Sequence, residues 1–135
     1  MDTVFVDSNL FLRYLTKDDT GQAELAKGLF LKAQAGQIRL VTGPPVLFEV
    51  AWTLKVRYKQ PPRKILDFLD SLVTTAWIGM PDKEVAGKAV SLAKKTDQDF
   101  ADAYIHASAL KLGATAVATF NRKHFESMGT TLFDL

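Results

Sequence analysis

Three stretches of this chain place acids where acids are costly. In "FVDSN", Asp7 follows a run of β-type residues directly. In "PPVLFEVAWTL", Glu49 is the one charged residue between Pro44 and Leu54. In "DQDFADAYIHASAL", Asp99 and Asp102 stand three apart, so on a helix both carboxylates share nearly one face. An ionised carboxylate left unpaired in apolar surroundings costs several kcal/mol, so it needs a cation or a shifted pKa. All-oxygen ligands select a hard ion, Mg²⁺ or Mn²⁺. Three ionised carboxylates would repel a phosphodiester. One divalent ion reduces their charge from −3 to −1, and two make it +1. Such ions activate water and stabilise the attacking and leaving oxygens of an in-line displacement.

Each acid also has a plainer account. Glu49 would suit the wet side of a helix, paired with Arg57 or Lys59. Asp97 or Asp99 could cap the following helix, where acids also suit the dipole. Capping is the expectation for Asp97, whereas Asp102 lies too deep in its segment for it. A fourth stretch, "AVATFNRKHF", sets Thr119, Asn121, Arg122, Lys123 and His124 after a buried run. Asn121 would serve as a turn residue as readily as a ligand, and His124 is expected to be solvated. His106 could reach Asp102 four residues back, but a satisfied helix histidine is the plainer expectation. Trp52, Trp77 and Tyr104 are expected in the core.

The elements that must position these groups alternate. "TVFV" reads as a strand buried on both faces. "NLFLRYL" is helical, and Asp18 or Thr20 would cap a helix over about Gly21 to Ala35, ended by Gly36. "IRLVTG" is a second strand. Pro44 and Pro45 suit the first turn of a helix reaching about Lys59. "PPRKILDFLDSLV" carries an apolar stripe. "AWIGM" is a third strand, helices follow over 82–95 and 99–112, "TAVATF" is a fourth strand and "TTLFDL" a weak fifth. Strands separated by helices give an α/β domain with a mainly parallel sheet. Ligands of such sheets lie beyond the carboxyl ends of the strands, near a reversal of strand order, and Asp7 would sit at such an end.

The 135 residues suit one domain, 1–135. With no cysteine there is no thiol catalysis, disulfide or cysteine-ligated zinc. The opening residues do not read as a signal peptide and no apolar run spans a membrane, so a cytoplasmic protein is expected. A net charge of +2 is too small to argue for nucleic-acid binding by itself.

Taken together, "VFVDSNLFLRYL", a lone Glu in an apolar helix, "DFADAYIHASAL" and "AVATFNRKHF" resemble the PIN-domain ribonucleases, most of all the toxins of VapBC-type toxin–antitoxin pairs. The resemblance spans the chain. It implies a three-layer sandwich whose central, mainly parallel sheet has four to five strands. It assigns Asp7, Glu49 and Asp102 to Mg²⁺ or Mn²⁺, with Asp99 a further catalytic acid. Asn9 would orient Asp7, and Thr119 and Asn121 would support the site. Many members carry an acid near Asn121, so this site is one charge less negative. Arg13, Lys17, Arg122 and Lys123 fall after strand ends and could hold RNA phosphates. The resemblance further implies an RNA substrate, a small antitoxin partner and a homodimer. The competing readings are a weakened PIN-like domain that binds RNA or protein without cutting, and a different Mg²⁺-dependent phosphate hydrolase. Against the latter, Asn9 stands where such enzymes carry a second acid.

Overall fold

A computed structural model describes residues 1–135. Three short strands, β1 (Thr3–Phe5), β2 (Arg39–Val41) and β3 (Ile78–Gly79), form a parallel sheet in the order β1-β2-β3. Val4 lies opposite Leu40, and Leu40 opposite Ile78. Seven helices surround it: α1 (Ser8–Thr16), α2 (Thr20–Gln34), α3 (Pro44–Val56), α4 (Pro62–Thr74), α5 (Lys83–Thr96), α6 (Phe100–Lys111) and α7 (Arg122–Ser127). This is the expected α/β sandwich with a parallel sheet. No helix is long and apolar enough to cross a membrane.

The helix boundaries follow local chemistry. Two prolines at the start of α3 cost nothing, because the first N–H groups of a helix have no partner inside it. Gly36 and Gly113 lie just past α2 and α6 at φ +77° and +75°, a left-handed conformation that a Cβ disfavours. Asp19, rather than Asp18 or Thr20, caps α2 by accepting the Gln22 N–H at 3.0 Å. Asp97 does not cap α6. It closes α5 in the left-handed conformation, and Asp99 takes the N-cap position of α6 without a capping hydrogen bond.

The sheet is smaller than expected. The fourth and fifth strands reduce to a single parallel bridge between Val117 and Leu132. The three strands run in sequence order, so no reversal lies among them. Nor is β1 buried on both faces: it is an edge strand, and Phe5 is 61% exposed. An apolar run signals burial but cannot say which strand lies at the edge. The core gathers instead beneath the helices, where Leu40, Leu47, Val50, Leu69, Ala86 and Ala103 have no exposure.

Charged straps tie the outer helices together. Lys94 of α5 reaches Asp67 of α4 at 2.9 Å, and Lys111 of α6 reaches Glu84 of α5 at 2.6 Å. Hydrogen bonds from these lysines hold the Asp67 and Glu84 carboxyls below their ordinary range; the Tyr58 and Thr16 hydroxyls do the same for Asp18. A depressed folded pKa adds stability that is present above the unfolded value and lost as pH falls through the folded one. Thermal midpoints should therefore fall below about pH 4.5, and more steeply below about 3.8. Melting curves from pH 7 to 3 should show that fall partly flattened in a Glu84→Gln, Asp67→Asn double variant.

Candidate active site

β1 and β2 deliver their carboxyl ends to one edge. The Val6 N–H donates to the Val41 carbonyl at 2.8 Å, and the buried Thr42 hydroxyl donates to the Val6 carbonyl at 3.0 Å. These bonds clamp the chain where it leaves the sheet. Asp7 is the next residue. It caps α1, its Oδ1 accepting the Ser8 N–H at 2.7 Å. Asn9 was expected to orient Asp7 but makes no such bond. Ser8, 2% exposed, holds Asp7 through its N–H, with its hydroxyl 3.4 Å from the same oxygen. A backbone donor looks the same in any residue type, so the sequence carried no signal for it.

α3 departs from the same edge, after β2, and carries Glu49 on an exposed position. Its neighbour Phe48 packs against Phe100 and Tyr104 of α6, with ring centroids 5.4 and 5.0 Å apart. That aromatic contact sets α3 beside the start of α6. As a result Glu49 and Asp99 line one open groove of about 470 Å³, with Phe48, Trp52, Ile65 and Leu66. Trp52, expected in the core, is 63% exposed here. Lys55, six residues beyond Glu49 on α3, donates to both oxygens of Asp99 at 3.2 and 3.3 Å. Asp99 is thus partly neutralised, whereas Glu49 is in no ion pair.

Asp102, in the first turn of α6, has a side chain only 18% exposed. Its Oδ2 lies 3.0 Å from His124 Nδ1, and the Asn121 amide nitrogen lies 2.8 Å from that same ring nitrogen. The Asn121 N–H donates to the Thr119 hydroxyl oxygen at 3.0 Å. Thr119, Asn121, His124 and Asp102 therefore form one cluster. His124 is exposed, as expected, and is at the same time bonded to Asp102. His106 does not reach Asp102; its Nδ1 bonds Thr130 at 2.7 Å, the satisfied helix histidine.

The basic residues divide. Lys17, Arg122 and Lys123 are exposed and without ion-pair partners. Arg13 is committed elsewhere. Its guanidinium bonds Gln22 at 2.9 Å, Asp18 at 3.3 Å and the Tyr58 hydroxyl at 3.2 Å. It braces α1 against α2 and the end of α3, and has little left for a phosphate.

Asp7, Glu49 and Asp102 do not form a closed cage, since no three His, Asp or Glu side chains come close enough to hold an ion. Even so, the donor set fits a hard cation, being oxygen-rich and solvent-accessible, with no protein hydrogen bond drawn to Asp7 Oδ2, Asp102 Oδ1 or Glu49.

A family model of the PIN domain matches residues 4–130. The chain belongs to the PIN-domain family. No curated protein sequence matches it. PIN domains are generally nucleases and typically use divalent metal ions.

Proposed function

We propose that this PIN domain is a Mg²⁺- or Mn²⁺-dependent endoribonuclease, the toxin of a VapBC-type toxin–antitoxin pair. One observation carries the reading. Glu49 of α3 and Asp99 at the start of α6 line one groove, Asp102 stands three residues along from Asp99 on α6, and Asp7 caps α1 just beyond β1. Asp7, Glu49 and Asp102 would hold the ion, which supplies charge neutralisation and an activated water. Ser8 fixes the approach of Asp7, and Lys55 holds Asp99 in place. Arg122, Lys123 and Lys17 are available to RNA phosphates, contacts that position a strand without reading its sequence. The groove beside Glu49 suits a small antitoxin segment with apolar side chains for Trp52 and a basic one for Glu49. The chain would act as a homodimer in the cytoplasm.

The purified chain should cleave single-stranded RNA with Mg²⁺ or Mn²⁺, lose that activity in EDTA, and regain it when the ion is restored. Asp7→Ala should be inactive while still unfolding cooperatively, its midpoint lowered by the roughly 0.5–2 kcal/mol that loss of the α1 N-cap costs. Full activity in EDTA, or in Asp7→Ala, would sink the proposal.

A second reading has its own support. No three acids converge, and Asn121 supplies no charge. That arrangement also suits a PIN-like domain that binds RNA without cutting it. RNA retained in a gel shift and left intact by excess Mn²⁺ would favour this reading.

A further inference from the structure

Phe120 is the most exposed large apolar side chain of the protein, at 95%. Single exposed apolar residues are ordinary on a protein surface. This one differs in how it is held and in what surrounds it. Before it, Val117 donates to the Thr131 carbonyl at 2.9 Å and accepts from the Phe133 N–H at 2.8 Å. Across it, the Asn121 N–H donates to the Thr119 hydroxyl oxygen at 3.0 Å, closing a turn with Phe120 at its tip. After it, the Asn121 side chain meets His124 at 2.8 Å, and His124 meets Asp102 at 3.0 Å. The ring is therefore mounted on a braced turn that is tied to Asp102. Its chain neighbours are polar or cationic: Thr119 and Asn121 on either side, then Arg122 and Lys123, both exposed and in no ion pair. A protein partner calls for an apolar patch around such a ring, with charge depleted at its centre. Single-stranded nucleic acid calls for what is found here, an aromatic face for a base beside cations for the phosphates.

We propose that Phe120 is the stacking platform for an unpaired RNA base beside Asp102, and that it confines this site to single-stranded or looped RNA. This rests on the reading of the site as one that takes RNA. Bases inside a duplex are covered by their neighbours, whereas unpaired bases can be splayed out onto an aromatic side chain. Stacking tolerates any sequence because every base has a π-face. The ring thus selects for strandedness and not for a particular base, while Arg122 and Lys123 hold the backbone.

The test is fluorescence anisotropy of the full chain with a labelled single-stranded RNA oligonucleotide and, separately, a blunt RNA duplex, in EDTA so that no metal-dependent cleavage runs. Phe120→Ala should weaken single-strand binding about 5- to 100-fold and change duplex binding by less than about 2-fold. Phe120→Trp should keep the wild-type affinity. Phe120→Leu, apolar but without a π-face, should lose as much as the alanine variant. Salt dependence separates the ring from the cations: Phe120→Ala should keep the wild-type slope of log K against log salt, and Lys123→Ala should reduce it by about 0.7. If Phe120→Ala binds single strands as the wild type does, or if Phe120→Leu restores them, stacking is overturned and the ring is left to a protein partner, while RNA cleavage with Mn²⁺ keeps the nuclease reading. If the single strand binds through the ring but is never cut, the platform stands and the nuclease reading falls. If the wild type binds no RNA, the platform falls, and if it also cuts none, both fall together.

Discussion

Asp102→Asn will lower metal-dependent RNA cleavage by about 10²–10³-fold without unfolding the protein. The substitution keeps the shape of the side chain and removes its charge. Charge is what the position supplies, since an amide neither neutralises a cation nor accepts as strongly from His124. A metal contributes several kcal/mol of transition-state stabilisation, and losing about 3–4 kcal/mol of it gives the stated factor. The fold should not suffer. α6 is held by Phe100, Ala103 and Ala107, all buried, and not by Asp102. Removing one of several neighbouring carboxylates also relieves repulsion with Asp99, so the melting temperature should hold or rise slightly. The check is kcat/KM on a fluorogenic RNA oligonucleotide with saturating Mn²⁺, beside a thermal melt. A variant that folds and cuts at the wild-type rate would remove Asp102 from the chemistry.

Leu47→Ala should cost about 2–5 kcal/mol of folding stability, the range for a leucine truncated in a close-packed core. Leu47 has no exposure and sits in the first half of α3, the helix that carries Glu49 and Phe48. For a domain whose total stability is about 5–15 kcal/mol, this is a large fraction, lowering the thermal midpoint by roughly 10–20 °C. Urea denaturation at fixed pH measures it, with the midpoint shifting and the slope unchanged. Glu49→Gln, two residues on and exposed, should change stability by less than about 0.5 kcal/mol while lowering cleavage. That contrast separates the two faces of α3. A loss below 1 kcal/mol for Leu47→Ala would mean that the helix is not anchored as described.

Much of this molecule was readable before any coordinate. The prolines at 44 and 45, the glycines at 36 and 113, and the apolar stripe of α4 marked their helices, because capping, backbone freedom and periodicity act within one or two turns. The unusual acids stood out for the same reason: each broke a local pattern. What stayed hidden depends on residues far apart in the chain. His124 meets Asp102 across 22 positions, Lys55 meets Asp99 across 44, and Arg13 meets Tyr58 across 45. No local rule pairs such groups; the packing of α3, α6 and α7 does. The same packing left Trp52 outside and made β1 an edge strand. Residue types thus determined which chemistry was available, and tertiary packing decided which of those groups touch. A side chain's periodicity is a property of its own helix, whereas its neighbour belongs to another.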